Sequence, residues 1–354
     1  MKSLFFFGEL PPTAVHGISL SNELNIKILS DYFKIKIVEE VVPLRLHNKF
    51  SIMKICIQGK NILHAVSNLI FFKYDLLYLC YSVSFFGSLK NLIIIKTYKF
   101  FNETGVVVVH LHRGDFYCYI KNKKNKFISE KILNSVDKMI CLSEKYIKYF
   151  NRYKNLEAKI LRNTVYVSDN YKNNENENEN ENINIIYLSN YIKEKGIIDL
   201  LKAFSVIKNK YPHVFLSCYG NFSDPSLKTE ICSFNSNQIS INGPIYGRDK
   251  FRKISESNLL ILPSWSEGQP LILLEAMALG VPILTTSTGD IYEMLGEDYQ
   301  FIYSPGDINA LTYMIIDFLD FKNPRKISKY FIDRFSKYYS PESHRKNLLN
   351  IFID

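Results

Sequence analysis

The sequence contains no Cys-x-x-Cys, no Asp-x-Asp and no apolar run long enough to cross a bilayer. The six cysteines, Cys56, Cys80, Cys118, Cys141, Cys218 and Cys232, show no paired spacing, and several sit inside apolar runs. Buried, reduced thiols are therefore expected rather than a disulfide frame or a zinc site. Without Asp-x-Asp at a strand end, the carboxylate pair that would clamp a metal against a diphosphate is missing, so no metal site and no cofactor are expected. The apolar stretch Leu76–Leu89 carries no charged residue but falls short of the roughly 18 apolar residues of a membrane span. The opening MKSLFFFGELPP carries an apolar run too short for a signal-peptide core and reads as a first strand. These absences predict a cytoplasmic protein with no spanning helix.

What is present is a large store of core-forming side chains. Of 354 residues, 47% are hydrophobic and 14% aromatic, which excludes a chain disordered by composition and suffices for two domains. The net charge of +9 is unevenly spread: residues 1–165 carry 25 Lys/Arg against 12 Asp/Glu, and the remainder 19 against 23. A basic first half attracts phosphates or an anionic membrane face, so peripheral contact with the inner membrane surface is an expectation. Charge alone would also suit nucleic acid, but no recognition motif accompanies it, and nucleic acid is not expected as a partner.

Short apolar runs alternate with amphipathic segments. Strands are predicted at Leu4–Phe7, Ile35–Val38, Leu76–Tyr81, Val106–His110, Lys138–Leu142 and Ala158–Leu161, with helices at Ile18–Tyr32, Lys54–Phe72, Leu89–Phe100 and Glu144–Phe150. A second series has strands at Ile183–Leu188, Val214–Tyr219, Gln238–Ile241, Leu259–Leu262 and Pro282–Thr285. Its helices are Ile197–Asn209, Ser226–Asn235, Lys250–Glu256 and Leu271–Leu279, then Ile308–Phe318 and Glu342–Phe352. Such alternation predicts an α/β protein of two doubly wound, Rossmann-like parallel sheets facing a central cleft. The strict Asn/Glu alternation Asn174–Asn182 has nothing apolar to bury and reads as a solvated loop. The expected division is an acceptor-side domain at 1–165, a low-complexity linker at 166–183, a ligand-binding domain at 184–338, and a final helix at 339–354 that returns to the first domain.

The most informative stretch is LILPSWSEGQPLILLEAMALGVPILTTSTGDIYE, residues 260–293. A buried strand stops at Pro263, a polar loop runs from Ser264 to Gln269, and Pro270 stands at the expected first position of a helix, where its missing N–H costs nothing. Gly280 follows the helix as a stop, with Pro282 beyond. The loop thus delivers a helix amino end, a natural seat for a diphosphate. Glu275 shares a helix face with Leu271 and Leu279, so its carboxylate needs a polar partner, for which sugar or ribose hydroxyls would serve.

EGQPLILLEAMALGVPI resembles the signature of the retaining glycosyltransferases of family 4, which have the GT-B fold. The resemblance lies in two glutamates eight residues apart, Glu267 and Glu275, framed by Gly268, Pro270, Ala276, Met277, Ala278, Gly280 and Pro282. It implies that Glu267 contacts the donor sugar, that backbone N–H groups near Gln269–Leu271 hold sugar and diphosphate with Gly268 and Pro270 lining the same donor site, and that Glu275 binds ribose hydroxyls. It also places Lys195, before Gly196, on the diphosphate. Asn190 stands where the family usually has an arginine, so Lys195 is left as the main cation. Gly220 at a strand end, Pro244 and Ile245 beside the nucleotide base, and the turn Gly289-Asp290-Ile291 complete the implied donor site. In the first half, the loop Pro11–Ser19 with Gly17 matches the family's loop touching the donor phosphate or acceptor, and His112, at a strand end before Gly114, matches a histidine near the reacting carbon.

The implied reaction is metal-free transfer of a hexosyl group, with retention, from a nucleotide-diphosphate sugar to a glycan or lipid-linked acceptor in polysaccharide or glycoconjugate synthesis. Glu267, His112 and Lys195 are the catalytic candidates, with leaving-group charge met by Lys195 and the helix amino end. Two alternatives share the fold: a nucleotide-sugar 2-epimerase, which has no reason to keep the Glu267–Glu275 frame, and a non-catalytic nucleotide-sugar binder, for which Asn190 speaks.

Overall fold

In a computed structural model, the described residues are 1–41, 52–168, 182–222, 225–321 and 323–353. The chain divides into two compact units, Met1–Asn163 with Glu342–Asp354, and Thr164–Pro341. Most of the Asn/Glu alternation, up to residue 181, lies outside the described residues.

The first unit runs β1 (Ser3–Gly8), α1 (Gly17–Leu29), β2 (Lys34–Glu39), α2 (Ile52–Phe71), β3 (Leu76–Cys80), α3 (Phe85–Phe101), β4 (Val106–Leu111), α4 (Phe116–Ile120), α5 (Lys123–Leu133), β5 (Lys138–Cys141), α6 (Ile147–Phe150) and β6 (Glu157–Ile160). Its sheet has the order β2-β1-β3-β4-β5-β6, with every pairing parallel. Continuous apolar strands suit a sheet covered on both faces, because successive side chains point opposite ways. Phe5, Phe7, Leu77, Leu79, Val107 and Val109 enter one core. Leu4, Phe6, Leu76, Tyr78 and Val108 enter the other.

The second unit runs β7 (Ile183–Leu188), α7 (Ile197–Ile207), β8 (Val214–Tyr219), α8 (Lys228–Cys232), β9 (Ile239–Asn242), α9 (Gly247–Ser255), β10 (Leu259–Leu262), α10 (Leu271–Ala278), β11 (Ile283–Thr286), α11 (Ile291–Leu295), β12 (Ile302–Tyr303), α12 (Ile308–Leu319) and α13 (Pro324–Tyr338). Its parallel sheet is ordered β12-β11-β10-β7-β8-β9. The chain winds one way from β7 and the other way from β10, so the winding reverses between those two strands. Loops at such a reversal splay apart and leave a crevice at the carboxyl ends of the strands. The last helix, α14 (Pro341–Ile353), puts Leu348, Ile351 and Phe352 into the first unit's second core, and Lys138 donates to its Ile351 carbonyl at 2.7 Å.

Several expectations need correction. Cys56, Cys118 and Cys232 are exposed, so burial describes only part of the cysteine set; Cys141 and Cys218 are buried. Residues 144–150 are not one helix but a 3-10 turn followed by α6. Pro270 is the cap before α10 rather than its first helical residue, with extended backbone at ψ 126°. The helices α4, α5, α11 and α13 and the two-residue strand β12 add to the elements expected from sequence. α13 is lysine-rich, and its apolar residues Ile327, Phe331 and Phe335 recur every four positions. That is a legible i, i+4 stripe. No helix among the described residues is long and apolar enough to cross a membrane.

Candidate functional site

The crevice between β7 and β10 is where the expected donor residues collect. After β7 the chain passes Ser189 to Lys195 and turns through Gly196, whose φ is +68°. A Cβ there would lie 2.0 Å from the Pro263 carbonyl oxygen, so only glycine lets this loop press against the exit of β10. After β10 the loop Pro263–Pro270 is tied from three directions. Trp265 N donates to Glu194 O at 2.8 Å, Thr286 Oγ1 donates to Ser264 O at 2.5 Å, and Asp290 N donates to Gly268 O at 3.1 Å. Gly289, φ +61°, makes the last contact feasible, since a Cβ would sit 2.0 Å from the Glu267 carbonyl oxygen. The turn at 289–291 thus acts as a brace for the glutamate loop.

Held this way, Lys195 and Glu267 meet, with Nζ 2.7 Å from Oε1. The carboxylate is nearly buried and the ammonium about a quarter exposed. Beside them opens the amino end of α10, which no side chain caps. The first-turn N–H groups and the positive end of the helix dipole can therefore serve an anion. Gln269 is buried, while Gly268, Pro270 and Leu271 are half-buried around the same end. Asn190 is exposed, and its carbonyl accepts from the buried Tyr187 hydroxyl at 3.2 Å.

Glu275, in the second turn of α10, is 5% exposed. Its partner is Lys250 on α9, at 2.5 Å. Burial raises the Glu275 carboxyl above its ordinary range, and Lys250 offsets only part of that rise. The sequence alone offers this carboxylate only ligand hydroxyls as partners. The one hint of the lysine is that α9 immediately follows the Pro244–Ile245 loop and carries basic residues on its first turns. Lys250→Met leaves the carboxylate buried and unpaired. For a fully buried pair this costs roughly 3–5 kcal/mol; with Lys250 one-fifth exposed we expect about 2 kcal/mol at pH 7. A carboxyl whose folded pKa is raised stabilises the fold when protonated, and that stability is lost as pH rises through the folded pKa. The cost of Lys250→Met should therefore shrink between pH 7 and pH 5. Urea unfolding at both values checks this, and an equal loss at both would refute it.

Gly220 is buried directly after β8, and its N–H reaches Asn242 O at 3.4 Å. Pro244 is exposed and Ile245 half-buried in the loop before α9. A residue that sequence reasoning misses is Asp199. It accepts from the Trp265 indole N–H at 2.7 Å, while Lys193 lies 5.7 Å from that ring's centroid. The only tryptophan of the chain is thereby fixed in the glutamate loop.

Gly17 and His112 belong to the first unit. Gly17 is the exposed first residue of α1. The preceding His16 caps the helix, accepting from Ser19 N while Ser19 Oγ accepts from His16 N at 3.0 Å. His112 follows β4 at the sheet's carboxyl edge, 7% exposed, its ring 3.7 Å from that of His110. Neither of its ring nitrogens has a hydrogen-bond partner among the described residues. Burial, with the nearby His16 and His344, pushes its pKa down to about 3. His112 is therefore neutral at physiological pH and offers a hydrogen bond, not a charge. Among the described residues no group of three or more His, Cys, Asp or Glu is placed to hold a metal ion.

Known proteins resemble this arrangement. Residues 182–320 match the family described as glycosyl transferases group 1. The capsular polysaccharide biosynthesis glycosyltransferase CapM of Staphylococcus aureus is 28% identical over 134 residues, 36% of this chain and 34% of that protein. The chain thus spans about a third of CapM's length, and about half that of a second curated relative. Among solved structures, the sucrose-phosphate synthase of Thermosynechococcus elongatus superposes with a TM-score of 0.77 at 16% identity, covering 99% of this chain and 98% of that one. HepE of Anabaena, solved with UDP and glucose, gives 0.69 at 13% identity, covering 99% of each chain. At these identities the superpositions speak for the fold, which is GT-B. With that fold around it, the family match falls on the very segment that holds the Lys195–Glu267 crevice, residues 182–320.

Proposed function

We propose that the chain is a retaining, metal-independent hexosyltransferase, moving a sugar from a nucleotide-diphosphate donor to a glycan or lipid-linked acceptor in polysaccharide synthesis. The observation that carries this reading is the Lys195–Glu267 pair at the uncapped amino end of α10. A diphosphate placed there takes the ammonium and the helix amides, which frees the Glu267 carboxylate to accept from sugar hydroxyls. Charge building on the leaving diphosphate is then met by fixed donors that need no reorganisation, the kind of stabilisation that lowers a transfer barrier most. Glu275 receives the ribose and gives up part of its contact with Lys250. HepE's bound UDP and CapM's role in capsular polysaccharide support the donor and product classes.

The lone Trp265, braced by Asp199 in the glutamate loop, is a built-in reporter. Titrating nucleotide sugars should change its emission for the right donor, and that donor should turn over slowly to free sugar with or without EDTA. If no nucleotide sugar perturbs Trp265 and none is consumed, the reading fails; if chelation stops turnover, its metal-free part fails.

A further inference from the structure

We propose that the α2/α3 face of the first unit docks on an anionic lipid bilayer, lying on its surface. Both helices bury one side in the same core, α2 through Ala65 and Leu69, α3 through Ile94, Ile95 and Tyr98, and they pack beside each other. Their opposite sides should therefore be polar. They are not. On α3 the exposed stripe is Phe86, Leu89, Ile93, Lys96 and Phe100, spaced by three and four residues. Phe86 is 71% and Phe100 77% exposed. On α2 the matching stripe is Met53, Cys56, Lys60, Leu63, Ser67 and Ile70, with Phe71 and Phe72 at its end. Leu63 is 70% and Phe71 78% exposed. Contiguous apolar surface of this kind marks a docking site.

Charge identifies the occupant. From residue 41 to residue 102 the sequence has eight Lys/Arg and one acid, Asp75. Neither helix contains an Asp or Glu. Lys90 is turned inward onto Glu40 and Lys99 onto Asp137, so the outward cations are Lys60 and Lys96, with Lys73 just beyond α2. Asp75, bonded to Ser3, and Glu103 are the acids at the far end. A face of large apolar side chains with lysines and no carboxylates fits lipid tails below anionic headgroups, the lysine stems snorkelling to the phosphates. A second protein surface would ordinarily meet a mixed-charge rim. The inference is independent of the donor site, which lies in the other unit.

The test is co-sedimentation of the full chain with vesicles of phosphatidylcholine alone, or with one-third phosphatidylglycerol, at low and high salt. We expect binding to the anionic vesicles only, weakened by salt. Lys60→Glu with Lys96→Glu should lower it about tenfold or more, since each lysine near such a surface contributes about fivefold. Phe86→Ser with Phe100→Ser should lower it comparably while leaving the remaining binding salt-sensitive. Both pairs are solvent-facing, so unchanged thermal unfolding confirms that the variants are folded. Equal binding to neutral vesicles, or wild-type binding by both variants, overturns the proposal. So does a lipid-free dimer in sedimentation velocity that Phe86→Ser/Phe100→Ser abolishes, which assigns the face to a second copy.

Discussion

Lys195→Ala lowers kcat/KM for donor turnover by about 10²–10³-fold, the loss typical of removing one donor aimed at developing charge. Glu267→Ala does at least as much, and the double variant is little worse than the poorer single one. The reason is their contact at 2.7 Å. Either side chain alone leaves an unbalanced charge at the mouth of α10: a carboxylate facing the incoming diphosphate, or an ammonium with nothing to set its position. Residues that act as a unit show this strong non-additivity. A purely structural ion pair predicts the reverse pattern. With the ammonium about a quarter exposed, the pair contributes on the order of 1 kcal/mol to stability, so its loss would move the melting temperature slightly and turnover hardly at all. Steady-state kinetics of the two single variants and the double variant, alongside thermal unfolding, separate the two cases. Single variants within twofold of wild type would remove both residues from catalysis. Lys195→Arg should recover only part of the rate, because a forked planar cation cannot substitute for a compact one in a loop closed against Pro263.

Where physical patterning decides the structure, the sequence is legible. Ile183–Leu188, Val214–Tyr219 and Leu259–Leu262 are short apolar runs between breakers, and each is a strand at those bounds. The Pro270–Gly280 helix carries its own start and stop signals. The elements that sequence reasoning misses have two physical origins. α4, α11 and β12 are too short for a periodicity to emerge, and the apolar stripes of α5 and α13 are diluted by lysines. Partner identity is the other gap. The pattern of α10 says that Glu275 needs a counter-group, but that Lys250 supplies it depends on how α9 lies across α10, a tertiary fact with no firm local signature. Asp199 and Trp265 meet across 66 residues for the same reason. Gly196 and Gly289 stand in the sequence only as neighbours of motif residues. Their work is to let two loops approach within contact of Pro263 and Glu267, and a sequence does not record which backbone will be near.

Acid unfolds the first unit well before carboxylate protonation alone would require. His110 is fully buried in β4, its Nδ1 3.0 Å from the Tyr78 hydroxyl, and the His112 ring lies tilted against it. Burial holds His110 far below its ordinary pKa and pushes His112 down to about 3. In the unfolded chain both titrate near 6.5. Between those values the unfolded state binds two protons that the folded state refuses. Their stabilising contribution is thus complete above pH 6.5 and drains away as pH falls toward the folded values. Each group changes stability by about 1.4 kcal/mol per pH unit, so the pair sets a slope of about 3 kcal/mol per unit below pH 6. Thermal unfolding followed from pH 7 to pH 4 should show the transition of this unit falling steeply while that of the second unit moves less. His112→Phe keeps an aromatic ring against His110 but removes one titrating group, and should lower the slope by about 1.4 kcal/mol per unit. An unchanged slope in that variant would mean that His112 is already protonated in the fold, and the neutral ring assigned to the carboxyl edge of β4 would be wrong.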